Sequence, residues 1–394
     1  MKGGQRKVGE TMKIGIIGKG LAGIITALRW KAALPDIEID MYHDKDTPIV
    51  PVGSGSWPSL LKLLIRTSGS TSAFYSAWGD HIHWQATPKL GIAYKGWGKH
   101  GDWVHPFSLV NTAMHFDPQE FTDYFCNIGL VNLIEKRIDS YDQVDARYVY
   151  DCSGFPDNYD DYHTLRNPLN KVMLSNLPPT TDYYTGTVAT PDGWTFVIPL
   201  QNRTSLGYLY NDTITTDEQA EKNFREQFGV EEVGKPRSFR NYLAKNPIID
   251  DRVILNGNKL TFIEPLEATS VTTYDFFAEH TMTAIMKNGS NIPQELQNAV
   301  FRNAEMVYQN MNFILYHYQF GSKYDTPFWD YAKTLVPNDP KLYEWLRRGE
   351  RFKWKEFMDE NYSYYKVSSL YLMHHKLSGD DWEELFKSNW KHNS

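Results

Sequence analysis

The chain begins with apolar runs in the order strand, turn, helix, strand. The run from Lys13 to Ile17 predicts a short buried strand, and GKGLAG, from Gly18 to Gly23, predicts a turn. Apolar spacing from Leu21 to Leu34, closed by Pro35, predicts a helix, and the alternating run from Ile37 to Tyr42 predicts a second strand. This order is typical of a nucleotide-binding βαβ unit.

Later segments change from strands to helices. Tyr148 to Gly154 predicts a buried strand that ends in a glycine turn, and the alternating runs from Val188 to Leu209 and from Val253 to Ile263 predict antiparallel strands of a second sheet. The chain is predicted to be helical from Pro293, with an apolar face that contains Leu296, Val300, Val307 and Ile314. A last amphipathic helix is predicted after Ser378, with Trp382, Leu385, Phe386 and Trp390 on one side.

Length and composition narrow the class of protein. With 394 residues the chain exceeds what one core usually organises, so two lobes or one large α/β unit with an insertion are expected. The aromatic content of 14% exceeds the needs of an aliphatic core, which indicates rings lining a cavity for a flat ligand. The net charge of −7, without a lysine or arginine block, argues against a nucleic-acid partner.

Cysteine content and hydropathy indicate the cellular compartment of the protein. Two cysteines, Cys126 and Cys152, exclude a disulfide scaffold and fit a reducing cytosol. No run approaches 18 apolar residues, and the first residues lack the apolar stretch of a signal peptide. A cytoplasmic protein without a membrane segment is expected, with residues 1–12 as a flexible leader.

The glycine turn predicts dinucleotide binding. Gly18 allows the tight turn, Gly20 allows backbone amides to approach a pyrophosphate, and Gly23 allows close packing of helix on strand. An incidental turn is the alternative. A carboxylate usually holds the ribose after the second strand; here His43 and Asp44 are the two candidates.

Other segments are ambiguous when taken alone. The run from Thr87 to Trp97 alternates like one strand and places Lys89 on a face with Gly91 and Ala93, which leaves room for a ligand, although a solvated lysine is equally compatible. The run from Trp194 to Pro199 fits an ordinary aromatic edge strand. No metal site is expected, because the histidine pairs His81/His83 and His374/His375 lack a third ligand at a metal-like spacing.

Seven segments, in order, resemble the flavin-dependent halogenases of the tryptophan-halogenase type. The resemblance extends from residue 13 to 329. It implies that the chain is a short, phage-type member of that group. The segments are GKGLAG at Gly18–Gly23, KLGIAYKGW at Lys89–Trp97, HPF at His105–Phe107, DCSGF at Asp151–Phe155, WTFVIP at Trp194–Pro199, EPLEAT at Glu264–Thr269 and DTPFW at Asp325–Trp329. Departures from the family pattern are Phe196 for a tryptophan, VGSG at Val52–Gly55 and Ser270 for a glycine.

The resemblance implies an α/β fold and a domain arrangement. The fold would be an FAD-binding, Rossmann-like fold of the glutathione-reductase type, with an added antiparallel substrate sheet and a helical C-terminal part. Residues 13–290 would form the FAD module interleaved with the substrate sheet, and residues 291–394 a mostly helical subdomain.

The resemblance also implies a reaction and its residues. Reduced FAD, O2 and halide would give hypohalous acid, which Lys89 delivers to an electron-rich arene whose proton Glu267 accepts. The flavin contacts implied are Gly18, Gly20, Gly23, Asp44, Val52, Gly53, Trp194 and Pro199. The amides of Thr269 and Ser270 would hold the halide, and Trp97, His105, Pro106 and Phe107 would contact the substrate.

The charge state of Lys89 depends on two opposing effects. Burial lowers a lysine pKa by ~3 units, roughly 4 kcal/mol. A carboxylate at ~4 Å returns on the order of 4 kcal/mol at an effective dielectric of ~20. Since these nearly cancel, Lys89 is expected to remain largely an ammonium that activates hypohalous acid by hydrogen bonding.

The sequence also leads to expectations about the substrates and the partners of the protein. Phenols, indoles and anilines are expected as substrates because few residues follow Trp329, and aromatics such as Trp97, Trp103 and Phe107 are available to stack on them. Bromide and iodide are favoured slightly over chloride because of Ser270. No second glycine-rich turn is apparent, so a separate NAD(P)H-dependent reductase would supply the reduced FAD. Whether the chain forms a homo-oligomer is left open. The alternative functions are those of an aromatic hydroxylase and of a non-catalytic flavin-binding protein.

Overall fold

The fold is a mixed α/β arrangement of sheets and helices. A computed structural model describes residues 12–47, 49–50, 52–69, 84–98, 102–107, 112–287, 292–319 and 321–335. The helices are α1 (Leu21–Ala33), α2 (Pro58–Thr67), α3 (Pro118–Asn127), α4 (Asp217–Phe228), α5 (Ser270–Met286), α6 (Ile292–Gln319) and α7 (Pro327–Thr334). Single 3₁₀ turns span Tyr141–Gln143 and Gly257–Lys259.

The strands form four sheets. They are β1 (Lys13–Ile17), β2 (Glu38–His43), β3 (Ser54–Gly55), β4 (Thr87–Lys89), β5 (Gly91–Lys95), β6 (Trp103–Pro106), β7 (Ala113–Phe116), β8 (Asn132–Glu135), β9 (Tyr148–Asp151), β10 (Tyr162–Thr164), β11 (Lys171–Leu177), β12 (Thr185–Thr190), β13 (Gly193–Pro199), β14 (Thr204–Tyr210), β15 (Arg237–Ser238), β16 (Tyr242–Ala244), β17 (Ile248–Ile249), β18 (Val253–Leu255) and β19 (Thr261–Phe262). The sheet orders are β17-β18-β9-β1-β2-β8, β15-β11-β14-β13-β12-β5-β6, β3-β7-β4 and β10-β16-β19.

The first sheet confirms the predicted opening of the chain. Strand β1 pairs in parallel with β2 on one side and β9 on the other, with Ile17 opposite Tyr42 and Asp151. Both neighbours therefore end beside the glycine turn, as the carboxyl ends of parallel strands do. The buried strand predicted at Tyr148 is thus the one that brings the DCSGF segment to this turn.

The seven-stranded sheet confirms the antiparallel prediction for Val188 to Leu209. Strand β13 pairs antiparallel with β12 and β14, and β12 continues the sheet by pairing in parallel with β5. Every residue of β14 is buried, because helix α4 packs on this strand: Phe224 lies against Tyr208 with ring centroids 5.2 Å apart. This sheet carries the WTFVIP segment.

Two strand predictions are wrong in part. The run from Val253 to Ile263 is divided between two sheets: Val253–Leu255 is buried in the first sheet, parallel to β9 and antiparallel to β17, and Thr261–Phe262 is antiparallel to β16 in the sheet β10-β16-β19. The run from Thr87 to Trp97 is not one strand: the chain leaves the three-stranded sheet after Lys89 and joins the seven-stranded sheet at Gly91. Gly91 has φ +154°, and a Cβ there would lie 2.2 Å from the carbonyl oxygen of His105.

The helices after residue 269 confirm the predicted helical C-terminal part. Helix α6 begins at Ile292, one residue before the predicted start, and buries Leu296, Val307 and Ile314 completely. Helix α5 packs between α6 and α1, where Arg29 binds both oxygens of Asp275 at 2.7 and 2.6 Å. The helix predicted after Ser378, the two histidine pairs and most of the leader lie outside the described residues, and the domain boundaries stay predictions.

Candidate active site

The glycine turn has the geometry that a pyrophosphate requires. Gly18 has φ +101°, and its amide donates to the carbonyl oxygen of Tyr42 at 2.7 Å. A Cβ on Gly23 would lie 2.1 Å from the Gly18 carbonyl oxygen, whereas a Cβ on Gly20 would meet nothing within 4 Å. The turn is therefore crowded on its strand side and open at Gly20, where α1 begins without a side-chain cap, and the first amides of a helix have no partner within the helix.

The two candidates for the ribose contact lie in different surroundings. Asp44 accepts from the amide of Asp46 at 3.0 Å and forms an ion pair with Arg137 at 3.3 Å, so both carboxylate oxygens have partners. The Nδ1 atom of His43 is buried and lacks a partner among the described residues. His43 therefore has a free hydrogen-bonding atom at the end of β2, and Asp44 remains a candidate only beside Arg137.

Of the other predicted flavin residues, Val52, Gly53 and Pro199 lie along the β13–β14 sheet, whereas Trp194 is completely buried beside Glu264. The amide of Gly53 donates to Ser205 Oγ at 3.1 Å, and a Cβ on Gly53 would lie 3.0 Å from Ile198, so the half-buried Val52 and its neighbour lie on the β13–β14 sheet. At the end of β13 the carbonyl of Pro199 accepts from Thr87 Oγ1 at 2.6 Å. This contact joins the WTFVIP segment to the strand that carries Lys89.

Lys89 lies in the interior. Its side chain is completely buried, and Nζ has no hydrogen-bond partner among the described residues. The amine lies 5.5 Å from the ring centre of Phe107, and a Cβ on Gly55 would lie 3.3 Å from it. Burial lowers the pKa of Lys89 to about 7, although the charge of Glu267 opposes the shift. The two effects do not cancel, which corrects the expectation of a largely charged ammonium.

Glu267 occupies the turn before α5. The next residue, Ala268, has φ +51°, and the indole N–H of Trp57 donates to the carbonyl oxygen of Glu267 at 2.7 Å, so the backbone is held in place. The carboxylate is completely buried. The Tyr94 hydroxyl donates to Oε1, and His317 Nε2 lies 3.0 Å from the same oxygen. Oε2 has no partner among the described residues and is the atom available to a substrate.

Lys89 and Glu267 lie close enough for their charges to interact, and both act on His105. Burial lowers the pKa of His105, the charge of Glu267 opposes this shift, and the charges of Lys89 and His317 add to it, so the four side chains are neighbours. Phe107 lies 5.8 Å from His105 and 5.3 Å from Trp57 between ring centroids. The sequence predicted the convergence of positions 89 and 267 but not the two residues that hold Glu267.

The remaining residues predicted to contact the substrate differ in their exposure and in their distance from Lys89. Trp97 is only 3% exposed, and its indole donates to the Thr187 carbonyl oxygen at 3.1 Å and packs edge-on against Trp329. Trp97 therefore lies behind His317 as part of the core. Pro106 is exposed and pairs with Gly91 on the outer strand of the sheet. Of the four predicted contacts, His105 and Phe107 lie nearest to Lys89.

The residues predicted to bind halide lie at the start of a helix. Thr269 precedes the first residue of α5, Ser270, and no side chain caps this end of the helix. The carbonyl oxygen of Thr269 accepts from the amide of Thr273 at 2.9 Å, so the helix is regular from its first turn. The amides of Thr269 and Ser270 precede the hydrogen-bonded turns and are suited to an anion by their position.

Glu264 forms a separate buried group. It accepts from the Tyr318 hydroxyl at 2.9 and 3.0 Å, and burial raises its pKa to about 7, an effect that Tyr318, Asn167 and Trp194 oppose. The completely buried Trp194 indole therefore lies on the Glu264 side of β13. These contacts fit a structural role for Glu264.

Sequence reasoning missed Tyr94, His317 and His115. His115 is completely buried between Thr87 Oγ1 at 3.2 Å and Thr185 Oγ1 at 2.8 Å, and burial and Lys89 lower its pKa well below the ordinary value. A signal existed for His317: it lies three residues after Ile314 and so extends the apolar face of α6 with a titratable side chain. In the described part of the chain no three acidic, histidine or cysteine side chains group as metal ligands would.

Comparison with known proteins identifies the fold and then the family. The fold is that of solved flavin-dependent halogenases: the tryptophan 6-halogenase SttH from Streptomyces toxytricini superposes with a TM-score of 0.75 at 17% identity, over 96% of this chain and 95% of that one. The lanthipeptide tryptophan 5-halogenase MibH superposes with a TM-score of 0.76 at 18% identity, over 98% and 91%. The chain belongs to the tryptophan halogenase family, whose sequence profile matches residues 13–132 and 136–374.

Curated relatives match over a smaller share. Tryptophan 7-halogenase RebH from Lentzea aerocolonigenes is 24% identical over 270 residues, 58% of this chain and 49% of RebH. Tryptophan 6-halogenase SttH is 28% identical over 180 residues, 44% of this chain and 33% of SttH. The matched part thus spans half or less of these relatives. Among the described helices, none has the length and apolar character that a bilayer crossing needs.

Proposed function

We propose that this protein is a flavin-dependent halogenase that acts on electron-rich aromatic substrates. The observation that carries the proposal is the enclosed pair of Lys89 and Glu267, both completely buried, with one unpartnered polar atom each among the described residues. Such atoms are costly to bury unless a ligand uses them. When bound at the glycine turn, reduced FAD supplies hypohalous acid from O2 and halide.

The residues divide the work by position. Gly18, Gly20 and Gly23 would hold the pyrophosphate, His43 or Asp44 the ribose, and the amides of Thr269 and Ser270 the halide. Lys89, in its ammonium form, would hydrogen-bond the hypohalous acid and make the halogen more electrophilic. Glu267 Oε2 would accept the ring proton that is lost when the halogen is added. His105 and Phe107 would orient the arene.

Several finer points belong to the same proposal. Reduced FAD would come from a separate NAD(P)H-dependent reductase, bromide and iodide would be accepted more readily than chloride, and phenols, indoles and anilines would be substrates. Aromatic hydroxylation is the nearest alternative, and it would require neither halide nor Lys89.

A halide-dependence experiment tests the proposal. Chemically reduced FAD, oxygen and each halide in turn are supplied with a panel of phenols and indoles, and the products are analysed by mass spectrometry. Wild type is expected to give halogenated products, and Lys89→Ala to lose at least about a hundredfold in rate. Lys95→Ala, which removes an exposed lysine from the adjoining strand, is the matched control and keeps the activity. Hydroxylated products without halide, or full activity of Lys89→Ala, would overturn the proposal.

A further inference from the structure

His317 approaches Oε1 of the Glu267 carboxylate, whereas Oε2 has no partner among the described residues. We propose that His317 is an imidazolium that neutralises Glu267, so that Lys89 faces a neutral pair rather than a bare carboxylate. His317 is then a positioning residue that sets the charge state of Lys89. The inference rests on the proposed function, because it assigns a role within that same site.

The hydrogen count of the His317 ring supports the charge. Nδ1 lies 2.8 Å from the carbonyl oxygen of Phe313, and since a carbonyl only accepts, Nδ1 carries a hydrogen. Nε2 lies 3.0 Å from Glu267 Oε1. Without a proton in this contact, a nitrogen lone pair would face a carboxylate lone pair inside the protein. A hydrogen on each ring nitrogen removes this repulsion.

The position of Tyr94 favours the imidazole as the holder of the proton. Its hydroxyl donates to Oε1, the same oxygen that His317 approaches. A hydrogen bond donated to a carboxylate stabilises its ionised form, so the Tyr94 hydroxyl favours an ionised Glu267 and leaves the proton to the imidazole. The Tyr94 ring also stacks on the His317 ring, with centroids 5.4 Å apart and an interplanar angle of 18°, and an aromatic face favours a cation.

The helix that carries His317 adds a further contribution. His317 lies in the last turn of the 28-residue helix α6, where the partial negative charge of the helix C-terminus favours a cation. The side chain is 2% exposed, so solvent and salt screen this interaction little.

Each element packed against His317 contributes a group that acts on it or on its partner. The titratable and charged groups are Lys89 from β4, Tyr94 from β5, His105 from β6, Glu264 and Glu267 from the turn before α5, and Tyr318 from α6 itself. Glu267 is the residue whose charge raises the pKa of Lys89. An imidazolium behind Glu267 reduces that effect, so removal of His317 should increase the fraction of Lys89 that is charged.

A pair of histidine variants tests the inference. His317→Gln keeps a polar side chain but removes the charge. His280→Gln is the matched control, because Nδ1 of His280 makes the same contact, 2.8 Å, with the carbonyl oxygen four residues earlier, and His280 lies on α5 outside the site. The rate of phenol bromination with reduced FAD is measured from pH 6 to pH 10, with thermal melting to check the fold.

The position of the alkaline limb of the pH profile is the readout. In wild type the rate should fall as Lys89 loses its proton, and in His317→Gln this limb should move about one pH unit higher, because the full charge of Glu267 then acts on Lys89. His280→Gln should keep the wild-type limb. An unmoved limb in a folded His317→Gln would overturn the inference. A wild type that makes no halogenated product would instead refute the proposed function.

A second readout needs no activity. Nitrogen-15 NMR of histidine-labelled wild type at neutral pH should show a proton on both ring nitrogens of His317, and Glu267→Gln should remove the one on Nε2. A single protonated ring nitrogen in wild type would overturn the inference. This measurement also decides the matter if His317→Gln does not fold.

Discussion

The burial of Lys89 makes the free energy of unfolding depend on pH. Its pKa is lowered from the ordinary 10.5 to about 7 because burial disfavours the ammonium. Below pH 7 the lysine is charged in both the folded and the unfolded states, and the folded state bears the full desolvation cost. Between pH 7 and pH 10 the unfolded chain keeps a proton that the folded protein has released, so stability should rise with pH.

Comparison of wild type with Lys89→Met isolates this effect. From pH 7 to pH 9.5 the free energy of unfolding of wild type should rise relative to that of Lys89→Met by up to about 1.4 kcal/mol per pH unit. Urea unfolding at pH 6.5, 8 and 9.5 measures the difference. Lys95→Met, at an exposed position, should follow wild type at every pH. Parallel curves for wild type and Lys89→Met would show that the buried lysine does not titrate in this range.

At the scale of elements, β3 lies between the β13–β14 sheet and Lys89. Gly53 packs on Ile198 and Ser205, and two residues later Gly55 lies against the lysine amine. A Cβ on Gly55 would come within 3.3 Å of Nζ and 3.4 Å of Thr185 Oγ1, so the end of the lysine would have to shift by a few tenths of an ångström.

Gly55→Ala should therefore slow halogenation without affecting flavin binding. We expect a loss of about tenfold in kcat, because displacement of a reacting group by less than an ångström is costly. The KM for the arene and the affinity for FAD, measured by fluorescence titration, serve as internal controls. An unchanged kcat would mean that the amine has free space beside β3.

Helix α6 links two carboxylates through consecutive residues. His317 contacts Glu267, and Tyr318 contacts Glu264, so one helical turn holds both acids of the EPLEAT segment. The apolar face of α6 anchors this turn in the core through Ile314 and Tyr318, both completely buried. The position of the Glu267 carboxylate is thus fixed by helix α6 as well as by the segment that carries Glu267.

At the scale of the whole molecule, sequence patterns predicted those strands and helices whose hydrophobic residues follow a single period. The first strand and helix were predicted closely because a continuous apolar run and a glycine turn define them. The proximity of Lys89 and Glu267 was predicted only from the resemblance to the halogenase family. The break at Gly91 was missed because alternation continues through it, whereas the sheet change depends on contacts with His105. His317 was missed because it belongs to no motif and acquires its role from tertiary packing.

The proposed function separates two tasks, oxidation of halide at the flavin and transfer of halogen beside Lys89. One measurement tests that separation most directly: bromination of a phenol by wild type and by Lys89→Ala, with reduced FAD, oxygen, bromide and an excess of taurine as a trap for hypobromous acid in solution. Wild type should give bromophenol, and Lys89→Ala should give taurine bromamine with little bromophenol. An equal yield of bromophenol from both proteins would show that halogen transfer does not depend on Lys89.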